Sequence, residues 1–179
     1  MLSTDNTVLA LIDPQARLIE VMHEKESLQD SIIRLIRGMN VLKVPIVWTE
    51  QMPAKIGPTA PGIAELLAPA TPMTKSSLSC CGEGGFKERL KALGRRNVVL
   101  AGMETHVCVY QTAVDLIAAG YRVEVPVDCV SSRSLQNKQI GIQRMKDTGA
   151  GISSLETVLF ELLGTAEHPA FREVLKIVK

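Results

Sequence analysis

Between Val98 and Tyr121 the chain passes from a short apolar run, through a polar elbow, into an amphipathic stretch, an order that leaves few folds open. Val98-Val99-Leu100-Ala101-Gly102 has the length and branching of a buried strand, closed by glycine. From His106 or Val107 to Ala119 apolar residues recur at helical spacing, and Gly120 ends them. The same alternation recurs along the chain. Thr7 to Ile12, Val44 to Thr49, Tyr121 to Val127 and Gly151 to Ser153 read as strands. Leu28 to Leu42, Phe86 to Leu93, Leu135 to Thr148, Leu155 to Leu163 and Pro169 to Val178 read as helices. Gln51 to Met73 carries five prolines and is expected to be a loop with one short helix near Gly62 to Leu67, a wall or lid over a site.

Strands alternating with helices demand a parallel sheet joined by right-handed crossovers. The expectation is a three-layer, doubly wound, Rossmann-like α/β fold, with a mostly parallel six-stranded sheet and helices on both faces. At 179 residues and 46% hydrophobic, the chain fits a single domain over residues 1–179. In such sheets ligands bind at the carboxyl ends of the strands, where strand order reverses. If the Thr7–Ile12 and Val98–Gly102 strands are neighbours there, the residues that follow them face each other.

Composition narrows the function. With 20 basic and 19 acidic residues scattered along the chain, nothing forms a stripe that could follow a phosphate backbone, so no nucleic-acid partner is expected. The first residues lack a basic and apolar leader, and no apolar run is long enough for a bilayer, so no membrane partner is expected and the location is expected to be cytoplasmic. Cys80, Cys81, Cys108 and Cys129 show neither metal-ligand spacing nor a disulfide framework, which fits reduced thiols.

Cys108 falls in the first turn of the helix after the elbow. Free N–H groups and the helix dipole there favour a thiolate, hence a nucleophile at neutral pH. Cysteine is also a common small buried residue, and Cys108 alone does not choose between the two. Asp13, ahead of Pro14 at a strand's carboxyl end, suits a proton carrier for that thiol, although aspartate before proline is also a common turn residue. Lys75 precedes Ser76-Ser77-Leu78-Ser79 and reads either as a solvated lysine or as a cation supporting both groups. Gln15, Glu50 and Gln51 lie on loops bordering the expected crevice, as substrate-binding candidates or as ordinary loop polarity.

Asp13 in Leu11-Ile12-Asp13-Pro14-Gln15, Lys75 in Lys75-Ser76-Ser77-Leu78-Ser79, and Cys108 in Gly102-Met103-Glu104-Thr105-His106-Val107-Cys108-Val109 together resemble the isochorismatase-like cysteine hydrolases over nearly the whole chain. Thr49-Glu50-Gln51, Gly57-Pro58-Thr59, Ser131-Ser132-Arg133 and His168-Pro169 are similar to one subgroup, the isochorismatase domain-containing proteins. The resemblance implies an Asp13-Lys75-Cys108 triad, a thioester-type acyl-enzyme and a non-proline cis peptide at Met103-Glu104. It also implies an oxyanion hole from the N–H groups of Glu104 and Cys108, and a homo-oligomer.

Two departures matter. Relatives that hydrolyse nicotinamide carry an aspartate and histidines on the loop where this chain has Glu50-Gln51-Met52-Pro53, and His23, His106 and His168 fall elsewhere. No metal or other cofactor is therefore expected. Members that cleave a vinyl ether need no nucleophilic cysteine, so the family name does not identify the substrate. Cys81-Gly82-Glu83-Gly84-Gly85 lacks the ending of a phosphate loop and reads as a flexible turn, and His106 as a capping or surface histidine. The expected function is hydrolysis of a small amide or related acyl compound through an acyl-cysteine. The alternatives are a weakly active or inactive binding or scaffold protein on the same fold and, last, a dinucleotide-binding domain, which lacks its glycines. The apolar segment Phe171 to Val178 is a candidate for the oligomer interface.

Overall fold

A computed structural model describes all residues, 1–179. The strands are β1 (Thr7–Ile12), β2 (Ile46–Gln51), β3 (Met73–Lys75), β4 (Asn97–Met103), β5 (Arg122–Pro126), β6 (Val130–Ser131) and β7 (Gly151–Ser153). The helices are α1 (Ala16–Ile19), α2 (Lys25–Val41), α3 (Pro53–Ile56), α4 (Pro61–Leu67), α5 (Gly84–Leu93), α6 (Tyr110–Ala118), α7 (Leu135–Thr148), α8 (Leu155–Leu163) and α9 (Phe171–Val178). All strand pairings are parallel, in the order β3-β2-β1-β4-β5-β7, with β6 pairing on β4. The sheet thus has seven strands, not the expected six. Two of them, β3 and β6, are three and two residues long and leave no readable alternation.

β1 and β4 are buried along their whole length, which explains their unbroken apolar runs. Their side chains alternate between two cores. Leu9, Leu11, Val99 and Ala101 pack in one core with residues of α2, α4, α8 and α9. Val8, Ala10, Ile12, Val98 and Leu100 pack in the other with residues of α5, α6 and α7. The chain winds outward from β1 to β2 and β3, then returns to add β4 on the other side. The strand order therefore reverses between β1 and β4, whose carboxyl ends lie side by side in register, Ile12 beside Gly102.

That register brings two backbones unusually close. Gly102 has φ +112°, and a Cβ there would lie 2.7 Å from the Ile12 nitrogen and closer still to its carbonyl oxygen. Asp13, the next residue of the first strand, is itself left-handed at φ 49°. Such a conformation is costly for a non-glycine residue and persists only where the surroundings enforce it.

α9 does not present its apolar face outward. Val174 is buried in the core shared with α2 and α8, Phe171 packs on Phe160 with ring centroids 6.1 Å apart, and Arg34 of α2 donates to the carbonyls of Ile177 and Val178. Part of the apolar face expected to serve an oligomer interface is thus packed within the chain. No helix is long and apolar enough to cross a membrane.

Candidate active site

Asp13 leaves the end of β1, Lys75 the end of β3, and Cys108 the turn after β4, so each side chain is delivered by a strand's carboxyl end. They converge. The Lys75 ammonium lies 2.8 Å from Asp13 Oδ2, with both side chains 1% exposed. Lys75 also donates to Gln51 Oε1 and to the carbonyls of Ser77 and Leu78, at 3.3 and 3.2 Å. Burial works against the ammonium, but the Asp13 carboxylate and, when ionised, the Cys80 and Cys108 thiols outweigh it. The Lys75 pKa therefore lies above the ordinary lysine value. Lysine here is a buried, fully coordinated cation, and the solvated reading is excluded.

Cys108 is 8% exposed, and its thiol lies within the electrostatic reach of both Asp13 and Lys75. The Met103–Glu104 peptide is cis. Thr105–Val109 forms one widened, π-type turn ahead of α6, instead of the first turn of a regular helix. In it the N–H groups of Val107 and Val109 both bond to the Glu104 carbonyl, at 3.1 and 3.2 Å, and are not free to face the sulfur.

The thiol is accordingly not activated at rest. Burial pushes its pKa up to about 11; Lys75 opposes that rise, while the Asp13 carboxylate adds to it. This corrects the expectation of a lowered pKa from helix position, because burial and a neighbouring anion outweigh the dipole of one distorted turn. Alkylation of Cys108 by iodoacetamide should then be slow at pH 7 and keep rising toward a midpoint of about 11. Asp13→Asn should shift that profile to lower pH, since it removes a charge that opposes the thiolate. A rate already at its plateau at pH 7 in native protein would contradict the arrangement.

Glu50 and Gln51 lie at the end of β2, not on a loop as expected, and with Gln15 they are spent on the chain itself. Gln15 Nε2 donates to the carbonyls of Gln51 and Gly57, at 3.0 and 2.6 Å, and its Oε1 accepts from the Gln51 N–H at 2.7 Å. Gln51 accepts from Lys75 and donates to the Ser76 carbonyl at 2.9 Å. Glu50 Oε1 accepts from the N–H and hydroxyl of Thr59, at 2.6 and 2.7 Å. These bonds tie β1, β2 and the proline-rich segment together, so the wall is fixed by buried side chains.

Cys80 and Cys81 are buried, Gly84 and Gly85 already belong to α5, and Cys80–Gly82 is a tight turn. Glu83 closes it: Oε1 accepts from the N–H groups of Ser76 and Ser77, at 3.0 and 3.2 Å, and from both hydroxyls. Those bonds, led by the Ser76 N–H, hold its carboxyl pKa below the usual value. They also fix the serine loop whose carbonyls receive Lys75.

On the far side, His106 Nδ1 lies 2.9 Å from Ser132 Oγ, and Arg133 Nε lies 3.0 Å from Glu104 Oε2, fastening the elbow to the 131–133 segment. Gly141 of α7 was not anticipated. A Cβ there would lie 2.8 Å from the His106 nitrogen and the Thr105 carbonyl, so glycine lets α7 rest directly on the cysteine turn. A lone glycine inside a helical pattern was the available signal. No three His, Cys, Asp or Glu side chains converge as metal ligands. A groove of about 440 Å³ between α3 and β3 passes Lys75 but reaches neither Asp13 nor Cys108.

Residues 7–157 match the family model described as the isochorismatase domain. The chain belongs to the isochorismatase family. It is 34% identical to isochorismatase domain-containing protein 2 of Danio rerio, over 99% of this chain and 89% of that protein. Its structure is similar to that of the MAR1 ribonuclease of Caenorhabditis elegans, with a TM-score of 0.93 and 34% identity over 99% of this chain and 91% of that one. It also shares its fold with the Escherichia coli YcaC protein, described as an octameric hydrolase of unknown specificity. That TM-score is 0.89, at 21% identity over 98% of this chain and 94% of that one. The isochorismatase family is one of hydrolases, and both matched structures share the three-layer sheet.

Proposed function

We propose that this isochorismatase-family protein is a cysteine hydrolase that cleaves a small amide or related acyl compound through an acyl-cysteine. The observation that carries the reading is the meeting of three buried groups: the Asp13–Lys75 ion pair at 2.8 Å, with the Cys108 thiol close enough for both charges to act on it. A buried charge pair costs free energy unless the fold needs it, and a thiol placed against it gives it a use.

In the first half-reaction the Cys108 sulfur attacks the substrate carbonyl carbon as its proton passes to Asp13. The carbonyl oxygen becomes an oxyanion beside the Glu104 and Cys108 N–H groups. Collapse breaks the carbon–nitrogen bond, and the departing amine takes the proton from Asp13. In the second half-reaction Asp13 accepts a proton from water, whose oxygen attacks the thioester; the acid leaves and Cys108 regains its proton. Lys75 pairs with the Asp13 carboxylate and lowers the cost of negative charge on sulfur. Gln15, Glu50 and Gln51 hold the wall in place.

Cys108 is only 8% exposed, which favours a small substrate. The C. elegans relative is a MAR1 ribonuclease, which makes RNA the second reading. The balanced net charge and nearly buried sulfur weigh against a polyanion. By the example of YcaC, we further propose assembly into a homo-oligomer.

The test is turnover of small amides and esters, with a labelled RNA beside them, by native protein, Cys108→Ala and Asp13→Asn. The reading expects small-molecule hydrolysis that both substitutions abolish. RNA cleavage alone would install the second reading, and no turnover of any compound would favour a scaffold.

A further inference from the structure

The proposed base has a second oxygen, and what holds it is unusually well determined. Thr49, 1% exposed on β2, places its hydroxyl 2.7 Å from Asp13 Oδ1, 3.4 Å from the Asp13 N–H and 3.6 Å from Cys80 Sγ. A threonine hydroxyl carries one proton and two lone pairs. The Asp13 carboxylate, paired with Lys75, can only accept, so the Thr49 proton must go to Oδ1. The Asp13 N–H can only donate and takes one lone pair. That leaves the other for Cys80, which must donate its S–H.

Cys80 suits that role. It is fully buried, its own N–H is fixed by Thr112 Oγ1 at 3.0 Å, and burial pushes its thiol pKa up to about 12, so it stays protonated. The proton order Cys80 to Thr49 to Asp13 Oδ1 is therefore forced by the donor and acceptor inventory.

We infer that Thr49 is a positioning residue: with Cys80 behind it, its hydroxyl occupies Asp13 Oδ1 and leaves Oδ2, beside Lys75, as the one oxygen that exchanges a proton with Cys108. Oδ2 faces the Lys75 ammonium at 2.8 Å and receives no other hydrogen bond from the chain, so it keeps a lone pair free to accept a proton. Without the Thr49 hydroxyl the carboxylate rotates, and the proton no longer has a single destination. This inference rests on the acyl-cysteine reading above.

The test uses p-nitrophenyl acetate as the acyl donor, following p-nitrophenolate release and the acetyl group on Cys108 by peptide mapping. Thr49→Val should slow acetylation at saturating ester about tenfold, the order expected on loss of a hydrogen bond to a charged group, with half-saturation unchanged. Thr49→Ser should restore a rate close to native, and Thr49→Val added to Asp13→Asn should cost nothing further. A purely structural effect of valine would instead add to the loss from Asp13→Asn. Acetylation of Thr49→Val at the native rate, while Asp13→Asn is slow, overturns this inference alone. A native rate in Asp13→Asn, or no acetyl group on native Cys108, overturns the acyl-cysteine reading and this inference with it.

Discussion

Lys75→Met is expected to lower the melting temperature by about 10 °C and to abolish hydrolysis. The first effect follows from burial. Asp13 and Lys75 are each 1% exposed, so removing the ammonium leaves a carboxylate with neither water nor counter-ion. Breaking one side of a buried pair costs about 3–5 kcal/mol, and in a domain of this size each kcal/mol moves the midpoint by about 2–4 °C. The Gln51 side chain and the Ser77 and Leu78 carbonyls lose their shared donor as well. Adding Asp13→Asn to Lys75→Met should recover part of the lost stability, because the orphaned charge is gone, while activity stays absent. Thermal denaturation of the single and double variants checks both statements. A Lys75→Met protein that melts with native would mean that the pair is not buried as described.

Gly102→Ala is expected to be at least as damaging, for a reason that has nothing to do with charge. The new methyl would press on the backbone of Ile12, which is part of a fully buried central strand and cannot turn aside. The residue would also be held at φ +112°, where side-chain-bearing residues are strained. Overpacking and backbone strain together amount to about 4 kcal/mol. Any protein that does fold should have β1 and β4 pushed apart at the point that carries Asp13 and the elbow to Cys108. Activity in the soluble fraction should then fall with stability. An alanine variant with native melting and native turnover would show that the strands are not in contact at this position.

Much of this arrangement was legible in the residues. The apolar runs of β1 and β4 betray central strands because both faces are covered, and the helical periods of α7 and α8 coincide with the observed elements. Asp13 and Cys108 announce themselves as polar residues just beyond such strands. β3 and β6 were hidden because two or three residues carry no period, and Lys75 consequently lacked a strand to place it. Its role came from resemblance alone.

The reading of Cys108 shows where a local rule yields to tertiary structure. Position in a first turn predicts a thiolate, but the turn is widened, its N–H groups serve the Glu104 carbonyl, and the nearest charges include an anion as well as a cation. Gln15 and Gln51 teach the complementary lesson. Polar residues near a crevice look like ligands in a sequence, yet here the backbone of β2 and of the proline-rich segment needs them as partners. Thr49 and Gly141 gave little away, since one reads as an ordinary strand residue and the other as a weak point in a helix.

The central claim is that the Cys108 sulfur carries the acyl group. It is tested most directly by intact-protein mass spectrometry of native protein and of Cys108→Ala after incubation with small amides and esters. The account predicts an acyl mass on native protein that maps to Cys108, decays as the acid is released, and is absent from the variant. Hydrolysis by Cys108→Ala at the native rate, or an acyl group mapped to another side chain, would contradict it.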